Sequence, residues 1–459
     1  MQSYSIITVY LRVYGEESDF EQEATMTDEL PGGFVPRSLR RQHERIVVHA
    51  KNAILNAREG VTHNVRLIIK DGIIDHVQTG VSADHEGRKD GEKHYCFTEG
   101  YLIPGLIDAH VHLGMPGYRD VGDETVGGKF EPALIATQNL NLALRSGLTS
   151  VRDCGMPAGL GSPVARLLRD GWIDGPRVIH SGPGLTGGIS DSRFEVCSVR
   201  DAAVAVRNLV REDVDFIKAY ASGGGRVNYQ RDMGRVDKGP KTWQSHLTTE
   251  LLSAIVEEAH AYGLMVTAHA TDPLTVSRCV EAGLDGIEHA ELLTGETSYN
   301  LDEELIDRIA DAQIFICPTL TASWRLFKSF EAREDQLSHF ECERLAYLRN
   351  LSEQSLRGFE MMVSRGVRIA AGSDAGTMLN PLDDFASELE LMGLNGMTNS
   401  QVLDSATRVA ADALALGRQT GRLMSGFLAD MTVLKGNPLE DLTAYERVDG
   451  VFVHGRRML

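Results

Sequence analysis

The middle of the chain, residues 103–419, alternates short apolar runs with amphipathic stretches of helical period. Eight apolar runs resemble buried strands, and they end near residues 112, 155, 181, 221, 270, 290, 318 and 374. Helical stretches such as Ala133–Arg145 and Thr248–Tyr262 separate them. This pattern predicts an α/β fold built as a (β/α)8 TIM-like barrel. An open doubly wound sheet is the alternative, but no glycine-rich dinucleotide loop follows the first strand.

Both ends of the chain have a different, strand-rich pattern. Two apolar runs, 65–70 and 73–77, flank Asp71-Gly72, which predicts a β-hairpin. Strand-like patterns return within the last thirty residues, at 430–435 and 448–453. We therefore predict three parts, which are an N-terminal extension over residues 1–45, a small β-sandwich from residues 46–102 plus 420–459, and the barrel over 103–419.

Composition narrows the class of protein. Of 459 residues, 42% are hydrophobic and 24% are charged, which is typical of a globular protein. The net charge of −19 argues against nucleic acid or an anionic membrane as a partner. No apolar run is long enough to span a bilayer. Six cysteines without paired spacing favour a reducing compartment, and the chain start lacks the basic region of a secretory signal, so we expect a cytoplasmic protein.

Two histidines at the end of the first barrel strand indicate a metal-binding site. His110 and His112 follow the apolar run 103–107. Because side chains two residues apart in a strand lie on the same face, the two imidazoles are expected to project together. A pair of neutral imidazoles suits a divalent metal such as zinc.

Further polar residues fall at the carboxyl ends of other predicted strands, where barrel enzymes place their active sites. They are Lys218, His269, His289 and Asp374. Each has an ordinary alternative, since a strand histidine is often a hydrogen-bonded core residue and Asp374 could cap the next helix. Six such residues at one end of one barrel favour a shared functional site.

The sequence resembles the amidohydrolase superfamily over nearly its whole length from residue 46. The matching stretches are PGLIDAHVHLG, GLTSVRDCG, FIKAYASGGG, VTAHA, GIEHAELL, AAGSDAG and GFLADMTVLKGNPLED. Within the superfamily it is most similar to the dinuclear-metal branch that contains Xaa-Pro dipeptidases and ochratoxin-type amidohydrolases. Imidazolonepropionase-like enzymes are more distant. Dipeptidase-type relatives carry a Gly-Gly-His-Gly-like stretch after strand three, whereas residues 186–191 here contain no histidine.

The resemblance implies two divalent metal ions, usually Zn2+, in a barrel joined to a β-sandwich. It places His110, His112 and Asp374 on the first ion and His269 and His289 on the second. Lys218 would bridge both ions as N6-carboxylysine, because an unmodified ammonium has no lone pair to donate. An ordinary buried lysine is the alternative for this position.

The implied reaction is hydrolysis of an amide bond by a hydroxide that bridges the metals. Asp374 would be the catalytic residue, taking the proton of the water and returning it to the leaving group. Asp108 and Glu288 are further candidates to support the ligands. An adjacent strand residue faces the opposite side, so we expect Glu288 to point away from His289 and the site.

Substrate specificity is expected in the loops after the strands. In the loop after strand four, Arg226, Tyr229 and Arg231 could contact a substrate carboxylate or carbonyl, or could be ordinary exposed residues. The substrate is expected to be a small molecule such as a dipeptide, an N-acyl amino acid or an ochratoxin-like amide. A decarboxylating lyase, a lactone or cyclic amide hydrolase, and a non-enzymatic scaffold are the alternatives. We also expect a homo-oligomer.

Overall fold

The apolar runs of the sequence form strands in a computed structural model that describes residues 45–81, 92–117, 130–187, 193–222, 246–293 and 301–459. The described residues form eighteen strands and eleven α-helices. The strands are β1 Arg45–Ala53, β2 Thr62–Lys70, β3 Ile73–Gln78, β4 Glu92–Phe97, β5 Tyr101–Pro104, β6 Leu106–Val111, β7 Leu148–Asp153, β8 Arg177–His180, β9 Leu185–Thr186, β10 Phe194–Glu195, β11 Ile217–Tyr220, β12 Val266–Ala270, β13 Gly286–His289, β14 Phe315–Cys317, β15 Arg368–Ile369, β16 Met431–Leu434, β17 Val448–Val453 and β18 Arg456–Arg457.

The helices alternate with the central strands, as the sequence pattern predicts. They are α1 Glu131–Arg145, α2 Gly161–Arg169, α3 Val199–Arg211, α4 Thr249–Ala261, α5 Pro273–Ala282, α6 Glu303–Asp311, α7 Leu320–Glu331, α8 His339–Ser364, α9 Ala386–Leu394, α10 Asn399–Asp404 and α11 Ala410–Ala413. The two helices predicted from sequence, at 133–145 and 248–262, correspond to α1 and α4. No helix in the described ranges is long and apolar enough to cross a membrane.

The central strands form two parallel sheets. One has the order β10-β9-β11-β12-β13-β14-β15, and the other has the order β6-β7-β8. Backbone hydrogen bonds connect the two sheets, since the Ala109 N–H donates to the Ala371 carbonyl at 2.9 Å and the Asp215 N–H donates to the His180 carbonyl at 2.9 Å. All the carboxyl ends of a parallel sheet lie along one edge, so residues that follow these strands can meet there.

The first and last parts of the chain share an eight-stranded sheet. Its order is β18-β17-β16-β5-β1-β2-β3, with β4 paired to β1. The link between the two ends is the antiparallel pair β5 and β16, in which Leu102 lies opposite Val433. The Phe452 ring from the C-terminal part makes edge contacts with Tyr95 and Phe97 at centroid distances of 5.1 and 6.1 Å. The two ends therefore form a common apolar core.

Two glycines explain local features of the chain path. The predicted hairpin at Asp71-Gly72 is confirmed, because β2 and β3 pair antiparallel around it and both turn residues have positive φ, 51° and 80°. Gly105 separates β5 from β6, so the apolar run from residue 103 is divided between two sheets. A Cβ atom at Gly105 would lie 2.2 Å from the Thr149 hydroxyl, so no larger residue fits there.

A stability prediction follows from the shared core. We expect Phe452→Ala to lower the free energy of unfolding by about 3 to 5 kcal/mol, because it removes a fully buried ring that joins both chain ends. Chemical denaturation followed by circular dichroism measures the change. Leu459→Ala, at a position that is 43% exposed, is the control and should have little effect. Equal stability of the Phe452 variant and the wild type would contradict a core shared by the two ends.

Candidate metal centre and active site

A cavity of about 300 Å³ opens at the carboxyl ends of the parallel strands. All six side chains that the sequence predicts as metal ligands line it. The lining residues are His110, His112, Arg193, Lys218, Tyr220, His269, Thr271, His289, Glu291, Ala322, Leu326, Asp374, Thr377 and Met378. Residues separated by more than 250 positions in sequence are thus brought to one site by the parallel arrangement of the strands.

The His-x-His pair has the geometry expected from strand alternation. Nε2 of His110 lies 3.4 Å from Oδ1 of Asp374, and Nε2 of His112 lies 3.2 Å from the same oxygen. The prediction that both imidazoles project to one side is confirmed. Two imidazole nitrogens and a carboxylate oxygen therefore converge on one point, which is a donor set that suits a divalent transition metal.

The other predicted ligands lie on neighbouring strands of the seven-stranded sheet. The ring centroids of His269 and His289 are 4.5 Å apart, and those of His110 and His289 are 5.1 Å apart. Ligand atoms of His110, His289 and Asp374 all lie within 4.8 Å of one another. Lys218 is only 1% exposed, and its ammonium lies 5.2 Å from the centre of the Tyr220 ring. One compact group thus contains four imidazoles, a carboxylate and a buried amine.

Asp374 is held in place by the strand that carries the histidines. Its N–H donates to the His110 carbonyl at 2.7 Å, and the His112 N–H donates to the Ala375 carbonyl at 2.7 Å. Strand eight was predicted to run from 367 to 374, but the strand itself covers only Arg368–Ile369. Beyond the end of this strand, Asp374 has a φ of 59°, a left-handed conformation, and its carboxylate faces the two histidines.

Asp108 ties the same two segments together. Its carboxylate accepts hydrogen bonds from the backbone N–H of His110 at 3.1 Å and from the backbone N–H of Ser373 at 3.0 Å. Burial raises the pKa of Asp108 to about 7, although the Ser373 hydroxyl and these N–H donors oppose the shift. The residue supports the backbone on both sides of the site and does not line the cavity.

The prediction that Glu288 faces away from the site was wrong. Its Oε2 accepts a hydrogen bond from Nδ1 of His110 at 2.8 Å, and its Oε1 accepts one from the Arg152 guanidinium at 2.7 Å. Strand alternation does not separate Glu288 from His289 because His289 has a φ of 71° and has left the extended conformation. Both neighbours therefore reach the interior, and Glu288 supports His110 from behind.

The buried charges fix the protonation state of His110. Burial acts to raise the pKa of Glu288, but Arg152 and His110 outweigh it and hold this pKa below its usual range. Burial and the nearby Lys218 ammonium lower the pKa of His110 to about 4. Since the Glu288 carboxylate can only accept, the proton of the neutral imidazole is on Nδ1, and Nε2 keeps a lone pair facing Asp374.

A second supporting chain holds His289. Nδ1 of His289 lies 2.7 Å from the Thr319 hydroxyl. The next residues are fixed by Glu388 on α9, whose carboxylate accepts hydrogen bonds from the backbone N–H groups of Leu320 at 2.9 Å and Thr321 at 2.7 Å. Sequence analysis did not identify Thr319 or Glu388. Thr319 directly follows the seventh predicted strand, a position that could have indicated it, whereas Glu388 lies on a helix far from any predicted strand end.

One further group of potential ligands is unsuited to a metal. His110, Cys154 and Glu288 also cluster within 4.8 Å. Both Glu288 oxygens are already engaged by His110 and Arg152. Burial raises the pKa of Cys154 above its usual range, which opposes the thiolate form that binds metals. The cavity side of His110 is therefore the better candidate.

The residues proposed for substrate contact are not assigned by the structure. Arg226, Tyr229 and Arg231 lie outside the described residues. Residues 325–350 contribute to two helices, α7 and α8, which pack through an apolar cluster that includes Leu326 and Leu345. Leu326 also lines the cavity, so α7 forms part of its wall.

Comparisons with known proteins agree with this architecture. Residues 101–458 match the model of the amidohydrolase family. The chain is 30% identical over 424 residues to an ochratoxinase from Aspergillus niger, covering 84% of this chain and 81% of the relative. A solved Xaa-Pro dipeptidase with bound methionine superposes with a TM-score of 0.76 at 24% identity, covering 90% of this chain and 99% of that chain.

The solved structure of A. niger ochratoxinase superposes with a TM-score of 0.72 at 26% identity, covering 91% of this chain and 96% of that chain. Together with the dipeptidase structure, it shows that the fold is TIM-barrel-like. These matches confirm the resemblance to the amidohydrolase superfamily that the sequence motifs indicated.

The buried pair of Arg152 and Glu288 gives a prediction about stability. Arg152→Met leaves the Glu288 carboxylate buried without its guanidinium, so we expect a loss of about 3 to 5 kcal/mol in the free energy of unfolding. The double variant Arg152→Met/Glu288→Gln removes both charges and should lose less than the single variants added together. Chemical denaturation of the wild type, Arg152→Met, Glu288→Gln and the double variant measures this coupling. Strict additivity would contradict a functional ion pair.

Proposed function

From the premise that the chain belongs to the amidohydrolase family and is a hydrolase of C–N bonds, we propose that it cleaves an amide bond in a small substrate with the help of two divalent metal ions. The observation on which this depends is the convergence of six ligand-type side chains in one cavity. The substrates we infer are dipeptides, N-acyl amino acids and ochratoxin-like amides, in line with the names of the ochratoxinase and dipeptidase relatives.

The donor chemistry of the site fits two ions. We assign His110, His112 and Asp374 to one ion and His269 and His289 to the other, with zinc as the expected metal. The hydrogen bond between Nδ1 of His110 and Glu288 leaves Nε2 facing Asp374, which supports this assignment. The ammonium of Lys218 is almost fully buried among these groups. As N6-carboxylysine it would become an anion with two oxygens, which suits a bridge between cations.

The protein groups then have distinct roles. When bound, a pair of divalent ions lowers the pKa of a shared water and polarises the scissile carbonyl. Asp374 accepts the proton of the attacking water and returns it to the leaving nitrogen as a general acid. Glu288 and Arg152 hold the His110 ring so that its Nε2 faces the cavity. The cavity walls orient the amide beside Asp374.

The remaining sequence predictions belong to the same proposal. We propose that the two parallel sheets close into a barrel and that the eight-stranded sheet belongs to a β-sandwich. The extension predicted over residues 1–45 lies outside the described residues, except for Arg45, which begins β1. A cytoplasmic location and assembly into a homo-oligomer complete the proposal, and size-exclusion chromatography with light scattering tests the oligomer directly.

A substrate panel tests the proposed function. We expect metal-replete protein to hydrolyse at least one dipeptide or N-acyl amino acid, and we expect a chelator to abolish this activity. Mass spectrometry of the products should show addition of one water across the amide. Release of carbon dioxide would indicate a lyase, and the absence of turnover across the whole panel would contradict an amide hydrolase.

Two substitutions separate assembly of the site from catalysis. Lys218→Ala should abolish activity and lower the metal content, because both cations lose a shared anionic ligand. Asp374→Asn should keep much of the metal and lose proton transfer, with a rate loss of about 10²- to 10⁴-fold. Elemental analysis and kcat measure the two effects. Normal metal content and normal rate in Lys218→Ala would show that this lysine is only structural.

A further inference from the structure

Arg193 is a cationic wall residue of the cavity that the sequence analysis did not identify. It lies just before β10, and its guanidinium carbon is 3.6 Å from the centre of the Tyr220 ring. Within the described ranges, no carboxylate lies within ion-pair distance of Arg193. It is also the only arginine among the described residues that line the cavity. Its charge therefore faces the space that a substrate would occupy.

Tyr220 positions this guanidinium close to the candidate metal centre. The Tyr220 hydroxyl donates to the Cys154 carbonyl at 2.9 Å, which fixes the ring. The same ring is 5.2 Å from the Lys218 ammonium and 6.1 Å from the His269 ring. The Tyr220 ring thus contacts Arg193 and also lies near two of the proposed ligands.

Stacking leaves the hydrogen-bonding groups of Arg193 available. A guanidinium that lies against an aromatic ring uses its flat face for that contact, and its N–H donors point outward in its own plane. Those donors match the two oxygens of a carboxylate in a bidentate arrangement. An arginine that lies against an aromatic ring, with no carboxylate of the described residues in ion-pair range, is suited to bind an anionic group of a ligand.

We propose that Arg193 is a specificity-determining residue that binds the α-carboxylate on the amine half of the substrate. This inference rests on the proposed amide hydrolysis. In an N-acyl amino acid, the carboxylate carbon lies within about 4 Å of the scissile carbonyl carbon, because only the nitrogen and Cα intervene. Arg193 lines the same cavity as the proposed ligands and contacts the Tyr220 ring that lies near Lys218 and His269, which suits that short separation. The enzyme would then cleave only the amide that joins a terminal amino acid.

Matched substrates test this role. The panel pairs N-benzoyl amino acids with the N-benzoyl amines that lack only the carboxylate, for example N-benzoylphenylalanine with N-benzoyl-2-phenylethylamine. We expect the wild type to prefer the best acid over its partner by about 10²-fold in kcat/KM. Arg193→Met should lose about the same factor on the acid, mainly through KM, and should leave the amine substrate unchanged. Arg193→Lys should lie between them, since it keeps the charge and loses the bidentate fork.

Controls separate this inference from the proposed function. Arg169→Met removes an arginine whose side chain is 71% exposed on α2, and it should behave as the wild type. Metal content and thermal unfolding of each variant confirm that the site is intact. Hydrolysis of the acid and the amine at equal rates by the wild type would overturn the role of Arg193 and leave amide hydrolysis standing. An equal loss on both substrates in Arg193→Met would also overturn it, whereas no hydrolysis of any panel member would refute the proposed function itself.

Discussion

The backbone register between β6 and the segment after β15 is the constraint on which the candidate site depends. Hydrogen bonds from Asp374 N–H to the His110 carbonyl and from His112 N–H to the Ala375 carbonyl, both at 2.7 Å, fix this register. They place one carboxylate oxygen within 3.4 Å of both imidazole Nε2 atoms. A shift of one residue would turn the histidines to the opposite face of the strand, so the donor set exists only in this register.

Buried charge is the second constraint. A carboxylate and a guanidinium, Glu288 and Arg152, are at most 1% exposed, and each would cost several kcal/mol if it were left alone in the interior. The guanidinium also donates to the Ala109 carbonyl at 2.6 Å, which lies next to the first histidine of the pair. The ion pair thus supports the His110 side chain through Glu288 and its backbone through Ala109. These contacts with His110 and Ala109 give the buried Arg152 and Glu288 side chains a structural role in the apolar core.

Much of the fold and of the site could be predicted because the relevant signals are local in sequence. Period-two alternation predicted the common direction of His110 and His112, and Asp71-Gly72 predicted the hairpin. The supporting residues could not be predicted in this way. Glu288 reaches the interior because of the positive φ of His289, and sequence alternation does not reveal such a conformation.

Other site residues depend on contacts between neighbouring strands of the sheet. Arg193 contacts the Tyr220 ring and Thr319 contacts His289, and sequence periodicity does not reveal either contact. Arg152 did leave a signal, since it is a charged residue in the middle of the apolar strand Leu148–Asp153, where a buried ion pair is the usual explanation.

The account's central claim is that these side chains hold two metal ions bridged by a modified lysine. Anomalous X-ray diffraction at the zinc edge from crystals of the zinc-replete protein tests it most directly. We predict two anomalous peaks in the cavity, one beside His110, His112 and Asp374 and one beside His269 and His289, with continuous electron density for a carboxylate on Nζ of Lys218. A single peak, or an unmodified Lys218 beside two peaks, would contradict the bridged dinuclear centre.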